Sequence, residues 1–406
     1  MIKKLLNYPD FIKLYLANTL SRFGDSIDMI AYGYMVYQLT GSKLLLATLY
    51  MVNVLPNILF SSFAGAVVDF FPKKSIIIIG DVLRGVIVLI TAFIFYVGRL
   101  EPWHLFVFTF IISTVESFVS PCQSATIPQL IDEEHYLFVN STLQAVTKVV
   151  ELSGLAIAGI VIGFVGIAGA MVIDAVTYIV SSIVMLYVKF PHEEKKSLTP
   201  ENYASSYKEG LNFVLRQKGF LALVLSMAVL NFLLTPINAL APAYVADVLK
   251  RGPEAIGYFS IAFIVGNIVG GIVVGKIGKA FSFKLMIAFG LTLTGVAYTM
   301  LALPGFIQSV SPLVIACGAA FLVGFFVTFA SAGLSTLFMT VIPKDMMARV
   351  SSVLGMFALS AMPLGSLTSG IISSYVGIEY VIVLFGILFV LTTVLPLYAL
   401  KRMEVA

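Results

Sequence analysis

The sequence predicts an all-α protein that crosses a membrane many times. Its 406 residues are 59% hydrophobic and only 11% charged, whereas soluble proteins carry roughly 25% charged residues. Apolar segments of about 20 residues, the length that spans a bilayer as a helix, recur along the whole chain. A soluble fold would need more polar surface than this chain has, so we expect a polytopic membrane protein with twelve transmembrane helices.

The first six predicted spans occupy the N-terminal half of the chain. Their approximate bounds are 11–39, 44–68, 75–97, 103–127, 140–163 and 168–189. The first span is permanent and not a cleaved signal, because its apolar part is longer than the about 7–15 residues of a signal-peptide core. Spans five and six are joined by a tight turn at Gly163–Gly169.

The other six predicted spans follow a long polar stretch in the middle of the chain. Their bounds are 219–246, 255–275, 284–304, 311–341, 348–376 and 379–400. Within the polar stretch, Thr199-Pro200 has the pattern of a helix start, which predicts a short surface helix. We therefore expect an N-terminal six-helix bundle over 1–190, a cytoplasmic linker over 191–218 and a C-terminal six-helix bundle over 219–406.

Lysine and arginine are distributed unequally between the predicted loops. With the N-terminus inside, eighteen of them fall on the cytoplasmic side and only Lys43, Arg99, Lys250 and Arg251 fall outside. Basic loops of membrane proteins stay in the cytoplasm. This pattern places both termini and the linker in the cytoplasm, in a plasma or inner cell membrane.

The two halves are weakly similar to each other. Gly65 and Lys73 after span two correspond to Gly271 and Lys279 after span eight, and both pairs are 206 residues apart. Internal repeats of this kind are common in transporters. Glycines in span five and in span eight, Gly266 among them, have spacings that allow close helix contact.

Charged residues inside the spans mark the candidate site, because a charge at membrane depth costs several kcal/mol and is rarely kept without a function. The first span carries Arg22, Asp25 and Asp28, and the fourth carries Glu116. Polar residues at helical spacing share a face with these charges. The candidates for proton coupling and for the substrate cavity are Arg22, Asp25, Asp28, Glu116, Glu151, Asn18, Tyr32, Gln123, Asn231 and Asn238.

The spacing of these residues suggests different roles for them. Arg22 is three residues from Asp25, so the two can form an ion pair, either structural or functional. Asp28 has no basic residue within one turn, which favours a proton carrier, and the same holds for Glu116. For three other sets, spacing or position favours structural roles: Lys148 with Glu151, Asp81 with Arg84, and Asp174 as a cap or anchor.

Several function classes are excluded by what the sequence lacks. It has no G-x-x-x-x-G-K-[ST] loop, so this chain alone does not use ATP. The three histidines have no second ligand at metal-binding spacing, and no Ser/His or Cys/His set suggests catalysis. We expect no cofactor, no metal, no nucleic-acid partner and no enzyme activity.

The segment Gly65–Lys74 resembles the G-x-x-x-D-R-x-G-R-K loop of the major facilitator superfamily, at the place between spans two and three where that superfamily carries it. Phe70 and Pro72 stand where the superfamily usually has Arg and Gly. The resemblance implies the major facilitator fold, with two pseudo-symmetric six-helix bundles. It also implies a gating loop made by Gly65, Asp69, Lys73 and Lys74.

A narrower resemblance covers nearly the whole chain. It is similar to the superfamily branch that contains macrolide-efflux proteins and enterobactin-type siderophore exporters. The motifs that carry it are Phe23-Gly24-Asp25, Asp81-x-x-Arg84, Ile127-Pro128-Gln129-Leu130, Asp174 and Pro363-Leu364-Gly365-Ser366. This implies a secondary active transporter, a proton-coupled exporter (antiporter) of amphipathic small molecules such as drugs, macrolides or siderophores, working by alternating access.

Two alternatives stay open at this point. A lysophospholipid transporter or flippase would use the same fold, and a non-transporting membrane sensor or assembly partner would belong to another class. The expected partners are a small-molecule substrate, protons and membrane lipids, and the expected assembly is a monomer.

Overall fold

The computed structural model describes residues 8–68, 71–132, 136–189, 211–277, 281–307, 311–342 and 346–403. Every regular element within these ranges is helical, which confirms the predicted all-α class. Three sequence predictions fall on other residues. Asp69 of the expected gating loop, the Thr199-Pro200 helix start and most of the expected linker lie outside the described part of the chain.

Five helices occupy the N-terminal half. They are α1 Pro9–Thr40, α2 Lys43–Val68, α3 Lys73–Tyr96, α4 Pro102–Leu130 and α5 Tyr136–Leu186. Helix α1 ends where Gly41 adopts a left-handed conformation (φ 61°) and donates its N–H to the carbonyl of Tyr37 at 2.8 Å. Gly166, with φ 73° and ψ 172°, interrupts α5. Expected spans five and six are therefore the two parts of α5.

Seven helices of ten or more residues follow in the described part of the C-terminal half. They are α6 Lys218–Ala239, α7 Glu254–Ile277, α8 Phe283–Met300, α9 Pro312–Val341, α10 Met347–Tyr375, α11 Ile378–Thr392 and α12 Val394–Met403. After α6 the chain continues through the short helix Ala241–Ala243 and the π-helical turn Tyr244–Val248. Residues 211–216 are also helical, at the end of the expected surface helix.

Ten helices among the described residues are long and apolar enough to cross a membrane. The prediction was twelve spans, and the difference has two physical causes. Helix α1 carries Arg22, Asp25 and Asp28, so it is not among the apolar ten. The two parts of α5 count as one long apolar stretch, Ser153–Leu186. The number twelve stays a prediction.

The chain divides into two compact units. Unit 1 contains Met1–Gly41 and Val52–Pro200, and unit 2 contains Ser42–Met51 and Glu201–Ala406. The division after Pro200 falls inside the expected linker. The first part of α2 belongs to unit 2, where the Ser366 hydroxyl donates to the carbonyl of Ala47 at 2.5 Å and Lys43 pairs with Asp247 at 3.3 Å.

Each unit has its own helix pairing, and the two patterns match. In unit 1, α3 packs against α4 and α5, and α1 packs against α5. In unit 2, α8 packs against α9 and α11, and α6 packs against α10 and α11. Since α3 and α8 are the third helices of the expected halves, the repeated pairing is what two related bundles require.

Small residues on α1 and α5 let these helices approach closely within unit 1. A Cβ atom at Gly24 would collide with the side chains of Asp174 and Thr177, and one at Gly154 would collide with Ser26. Short side chains at helix contacts permit such packing in membranes. This contact places the polar face of α1 directly against α5.

The closest helix approach in unit 2 joins α7 to α9. A Cβ atom at Gly266 would overlap the backbone carbonyl of Phe321, and one at Gly324 would overlap the carbonyl of Phe263. Backbone cannot move aside as a flexible side chain can. Gly266 of span eight is therefore required for packing, as the glycine spacing indicates.

We predict that Gly266→Ala destabilises the protein by about 1–3 kcal/mol, because the added methyl group overfills a closed contact. Gly275→Ala on the same helix is the matched control, since a Cβ atom there meets nothing within 4 Å. The thermal unfolding midpoints of the two detergent-purified variants give the comparison. Equal midpoints would contradict the close approach of α7 and α9.

Candidate functional site

The predicted intramembrane charges line a cavity in unit 1. It has a volume of about 350 Å³ and is built by α1, α2, α4 and the first part of α5. Charged and amide side chains form one part of its wall, and apolar side chains form another. The lining residues are Arg22, Asp25, Ser26, Asp28, Met29, Asn53, Asn57, Ile112, Ser113, Glu116 and Leu155.

Four charges beside this cavity form a closed ring in which the signs alternate. Arg22 is 2.6 Å from Glu116 and 3.5 Å from Asp25. Arg84 is 2.5 Å from the other oxygen of Glu116 and 3.4 Å from the other oxygen of Asp25. We call Arg22, Asp25, Arg84 and Glu116 the charge ring. Its net charge is zero, which lowers the cost of holding four charges at membrane depth.

Arg84 is the most enclosed member of the charge ring, with no exposed surface. Its guanidinium also pairs with Asp81 of its own helix, and it lies 3.3 Å from the hydroxyl of Ser21 on α1. The guanidinium carbon of Arg84 lies 4.6 Å from the centroid of the Tyr178 ring on α5, within the range of a cation–π interaction. Arg84 therefore connects α1, α3, α4 and α5.

Two hydroxyl groups of α5 complete the acidic side of this network. The Tyr178 hydroxyl donates to Asp25 at 2.5 Å, and the Ser181 hydroxyl donates to Asp81 at 2.6 Å. Both carboxylates thus have a donor in addition to an arginine.

Asp28 and Asp174 have neither an arginine nor a hydroxyl donor as a partner among the described residues. Asp28 lines the cavity but is only 7% exposed, and its Oδ1 has no hydrogen-bond partner. Asp174 is fully buried, and neither carboxyl oxygen has a partner. Neither acid forms an ion pair with any residue that the structure describes.

The interior of unit 1 therefore has more acids than bases. Among the described side chains, five carboxyl groups face two guanidinium groups, in the set Asp25, Asp28, Asp81, Glu116 and Asp174 against Arg22 and Arg84. Full ionisation would leave three uncompensated negative charges at membrane depth, at a cost of several kcal/mol each. Bound protons or a cationic ligand remove this cost.

The rest of the cavity wall suits an amphipathic ligand. Asn53 donates to the Ser113 hydroxyl at 3.2 Å and Asn57 lies one turn further along α2, while Ile112 and Leu155 supply apolar surface. No cluster of three or more metal-ligating side chains occurs in the described ranges. The arrangement can hold a charged group against acids and an apolar body beside them.

Some of the predicted site residues line the cavity and others lie elsewhere. Arg22, Asp25, Asp28 and Glu116 come together at the cavity. Tyr32 is buried beside it and shares a hydrogen bond of 2.8 Å with Thr91.

The remaining candidates whose side chains are described do not line the cavity. Asn18 is half-buried on α1 and Gln123 is buried on α4. In unit 2, Asn231 donates to its own helix at the Met227 carbonyl, and Asn238 is exposed. The side chains of Glu151 and Lys148 lie outside the described part.

The expected gating loop is described only in part. Gly65 lies in the last turn of α2, and Lys73 and Lys74 begin α3. Lys74 donates to the carbonyls of Leu186 and Val188, each at 2.8 Å, and so caps the end of α5. This contact holds α3 and α5 together at the end of unit 1.

Sequence reasoning missed two parts of the site. It assigned Arg84 to a structural pair with Asp81, and that pair exists, but Arg84 also joins the charge ring. It did not single out Tyr178 or the two asparagines of α2. Tyr178 lies four residues after Asp174 and thus on the same helix face, which is the signal that could have identified it.

Known sequences are similar to most of this chain. A family model described as transmembrane secretion effector matches residues 6–406. Macrolide efflux protein A of Streptococcus pyogenes is 25% identical over 382 residues, covering 94% of this chain and 93% of that protein. Macrolide efflux protein A of Enterococcus faecalis is 27% identical over 327 residues, covering 80% and 99%.

Solved structures show the same fold at low sequence identity. A bacterial homologue of the human lysosomal transporter Spinster, in an inward-facing and unoccupied conformation, gives a TM-score of 0.74 at 13% identity, covering 97% of this chain and 96% of that chain. At this identity the likeness concerns the fold alone.

The charge ring predicts how substitutions combine. Arg22→Gln or Glu116→Gln alone leaves one uncompensated charge and should lower the free energy of unfolding by about 3–5 kcal/mol. The double variant removes one charge of each sign and should be more stable than the sum of the single effects by about 1–3 kcal/mol. Thermal or denaturant unfolding in detergent measures these differences.

The matched control is the double variant Arg22→Gln with Arg84→Gln, which removes two charges of the same sign. It should show no such recovery. If both double variants behaved alike, the four residues would not act as one ring.

Proposed function

The chain belongs to the transmembrane secretion effector family of the major facilitator superfamily, and we propose that it exports amphipathic cations in exchange for protons. Membership of this family makes it a multi-pass membrane transporter and not an enzyme. Macrolides that carry a basic amine are the substrate class proposed first. One observation carries the proposal: the cavity is lined by an acid, Asp28, for which the charge ring provides no counter-ion.

Exchange at Asp28 gives antiport directly. A carboxyl in this site needs either a proton or a cation to avoid an unpaired buried charge. A protonated amine of the substrate supplies that cation, so substrate binding releases the proton of Asp28, and proton return releases the substrate. The two ligands compete for one group, which is the simplest basis for coupled exchange.

The charge ring confines the exchange to Asp28, because the charges of the ring are already paired. Arg22 and Glu116 line the cavity but neutralise each other, at 2.6 Å. The ring can therefore orient a polar substrate without holding it by net charge. Protonation of Asp25 or Glu116 would leave an arginine of the charge ring without its partner, which assigns these two acids a secondary part in coupling.

The chemistry of the wall favours an amphipathic substrate. Two relatives that cover most of this chain are named for macrolide efflux. A macrolide combines a broad apolar ring with a basic sugar, and the cavity combines apolar side chains with acids and amides. Siderophores, which bear oxygen-rich anionic groups, fit this acidic wall less well.

The proposal includes an orientation and a cycle. The transporter acts as a monomer in the cell membrane, surrounded by lipid, with both termini in the cytoplasm. It alternates access as other members of its superfamily do. The Lys74 contact with the end of α5 supports a gating part for the loop of Gly65, Asp69, Lys73 and Lys74.

We predict that Asp28→Asn abolishes uptake of a basic macrolide driven by a pH gradient in everted vesicles, with a loss of at least about 100-fold. The amide cannot release a proton. Asp28→Glu, which keeps the acid, should retain most of the activity. Glu379→Gln, which removes an acid from the first turn of α11, should leave transport unchanged.

Full activity of Asp28→Asn at equal expression would rule out exchange at this residue. Uptake of a lysophospholipid that does not respond to the pH gradient would support the flippase alternative instead.

A further inference from the structure

Asp174 is an acid for which the exchange at Asp28 has no evident use. It lies on the second part of α5, is fully buried, and does not line the cavity. Neither of its carboxyl oxygens accepts or donates a hydrogen bond to a described residue. A group that served only to anchor a helix would need at least one such bond.

The hydroxyl donors nearest to Asp174 are committed elsewhere. Thr177 donates to the backbone carbonyl of Asp174, at 2.7 Å, and not to its side chain. Tyr178 donates to Asp25, and Tyr32 is paired with Thr91. Asp174 is therefore left without a donor although its surroundings contain three hydroxyl groups.

The position of Asp174 connects it to Asp28. Its Oδ1 occupies the space that a Cβ atom at Gly24 would take. Asp28 lies four residues after Gly24, which is one helical turn along the same face of α1. The absence of a side chain at Gly24 thus lets Asp174 lie against α1 one helical turn before Asp28.

Among the described residues, the cation near Asp174 is Arg84, which is already paired with three other acids. The charged and titratable groups around it are Asp25, Asp28 and Tyr32 on α1, Arg84 on α3 and Tyr178 on α5. Arg84 already faces Asp25, Asp81 and Glu116. An ionised Asp174 would be an unpaired buried charge beside a second acid, whereas its protonated form avoids that cost.

We propose that Asp174 is a second proton site of the transporter, enclosed behind Asp28 and loaded through it. In the loading step the proton of the Asp28 carboxyl moves to the Asp174 carboxylate. One O–H bond breaks and one forms, and Asp28 is left ionised and ready for a cation or for a new proton from the cavity. This inference rests on the proposed exchange at Asp28 and extends it.

Infrared spectroscopy of the purified protein tests this site without any transport. A protonated carboxyl has its own C=O stretching band, and labelling the aspartates with ¹³C separates aspartate bands from glutamate bands. At neutral pH we expect one aspartic acid band to be lost in Asp174→Asn. In D₂O, exchange of this band should be slower by about 100-fold in Asp28→Asn than in the wild type, because the relay group is gone.

Asp174→Glu serves where Asp174→Asn does not fold. In Asp174→Glu the carboxyl band should no longer shift with ¹³C-labelled aspartate, because the group is now a glutamic acid. In Asp28→Glu the Asp174 band should exchange as rapidly as in the wild type. If no aspartic acid band depends on residue 174, the second site is absent. If that band exchanges equally fast in Asp28→Asn, the route through Asp28 is wrong.

These outcomes are independent of the substrate proposal. Transport without pH coupling together with the expected bands would overturn the exchange mechanism while the proton site stood. Coupled transport without the expected bands would overturn the second proton site and leave the exchange mechanism in place.

Discussion

The enclosed guanidinium of Arg84 is the constraint on which the rest of unit 1 depends. A cation without exposed surface needs several anionic partners, because each buried charge loses its hydration. Asp25 comes from α1, Asp81 from α3 and Glu116 from α4, while Tyr178 of α5 covers the guanidinium. Satisfying this one group fixes the rotation of four helices, and Arg22, which pairs with Asp25 and Glu116, closes the neutral charge ring.

Because the charge ring is neutral, it provides no counter-ion for the remaining acids, Asp28 and Asp174. If Arg22 and Arg84 were free, either could pair with Asp28. Because both are occupied, Asp28 and Asp174 depend on protons or on an incoming cation. Asp28 lines the cavity and Asp174 does not, so in the proposed cycle Asp28 exchanges with substrate and Asp174 stores a proton.

Much of this could be predicted from the sequence, and the rest depends on contacts between helices. Length and apolarity gave the spans, and the cost of membrane charge singled out Arg22, Asp25, Asp28 and Glu116. The pairing of Glu116 with two arginines could not be predicted, since spacing along one helix says nothing about a neighbour's rotation. The position of Asp174 near the end of its span predicts a cap or an anchor, and only the close contact at Gly24 shows that it lies against α1.

The central claim is that substrate and proton compete for Asp28. Proton release on substrate binding tests it most directly, with purified protein in weakly buffered detergent solution and a basic macrolide as ligand. The account predicts that binding to the wild type releases protons and that binding to Asp28→Asn releases none. Macrolide binding to the wild type without proton release would contradict it.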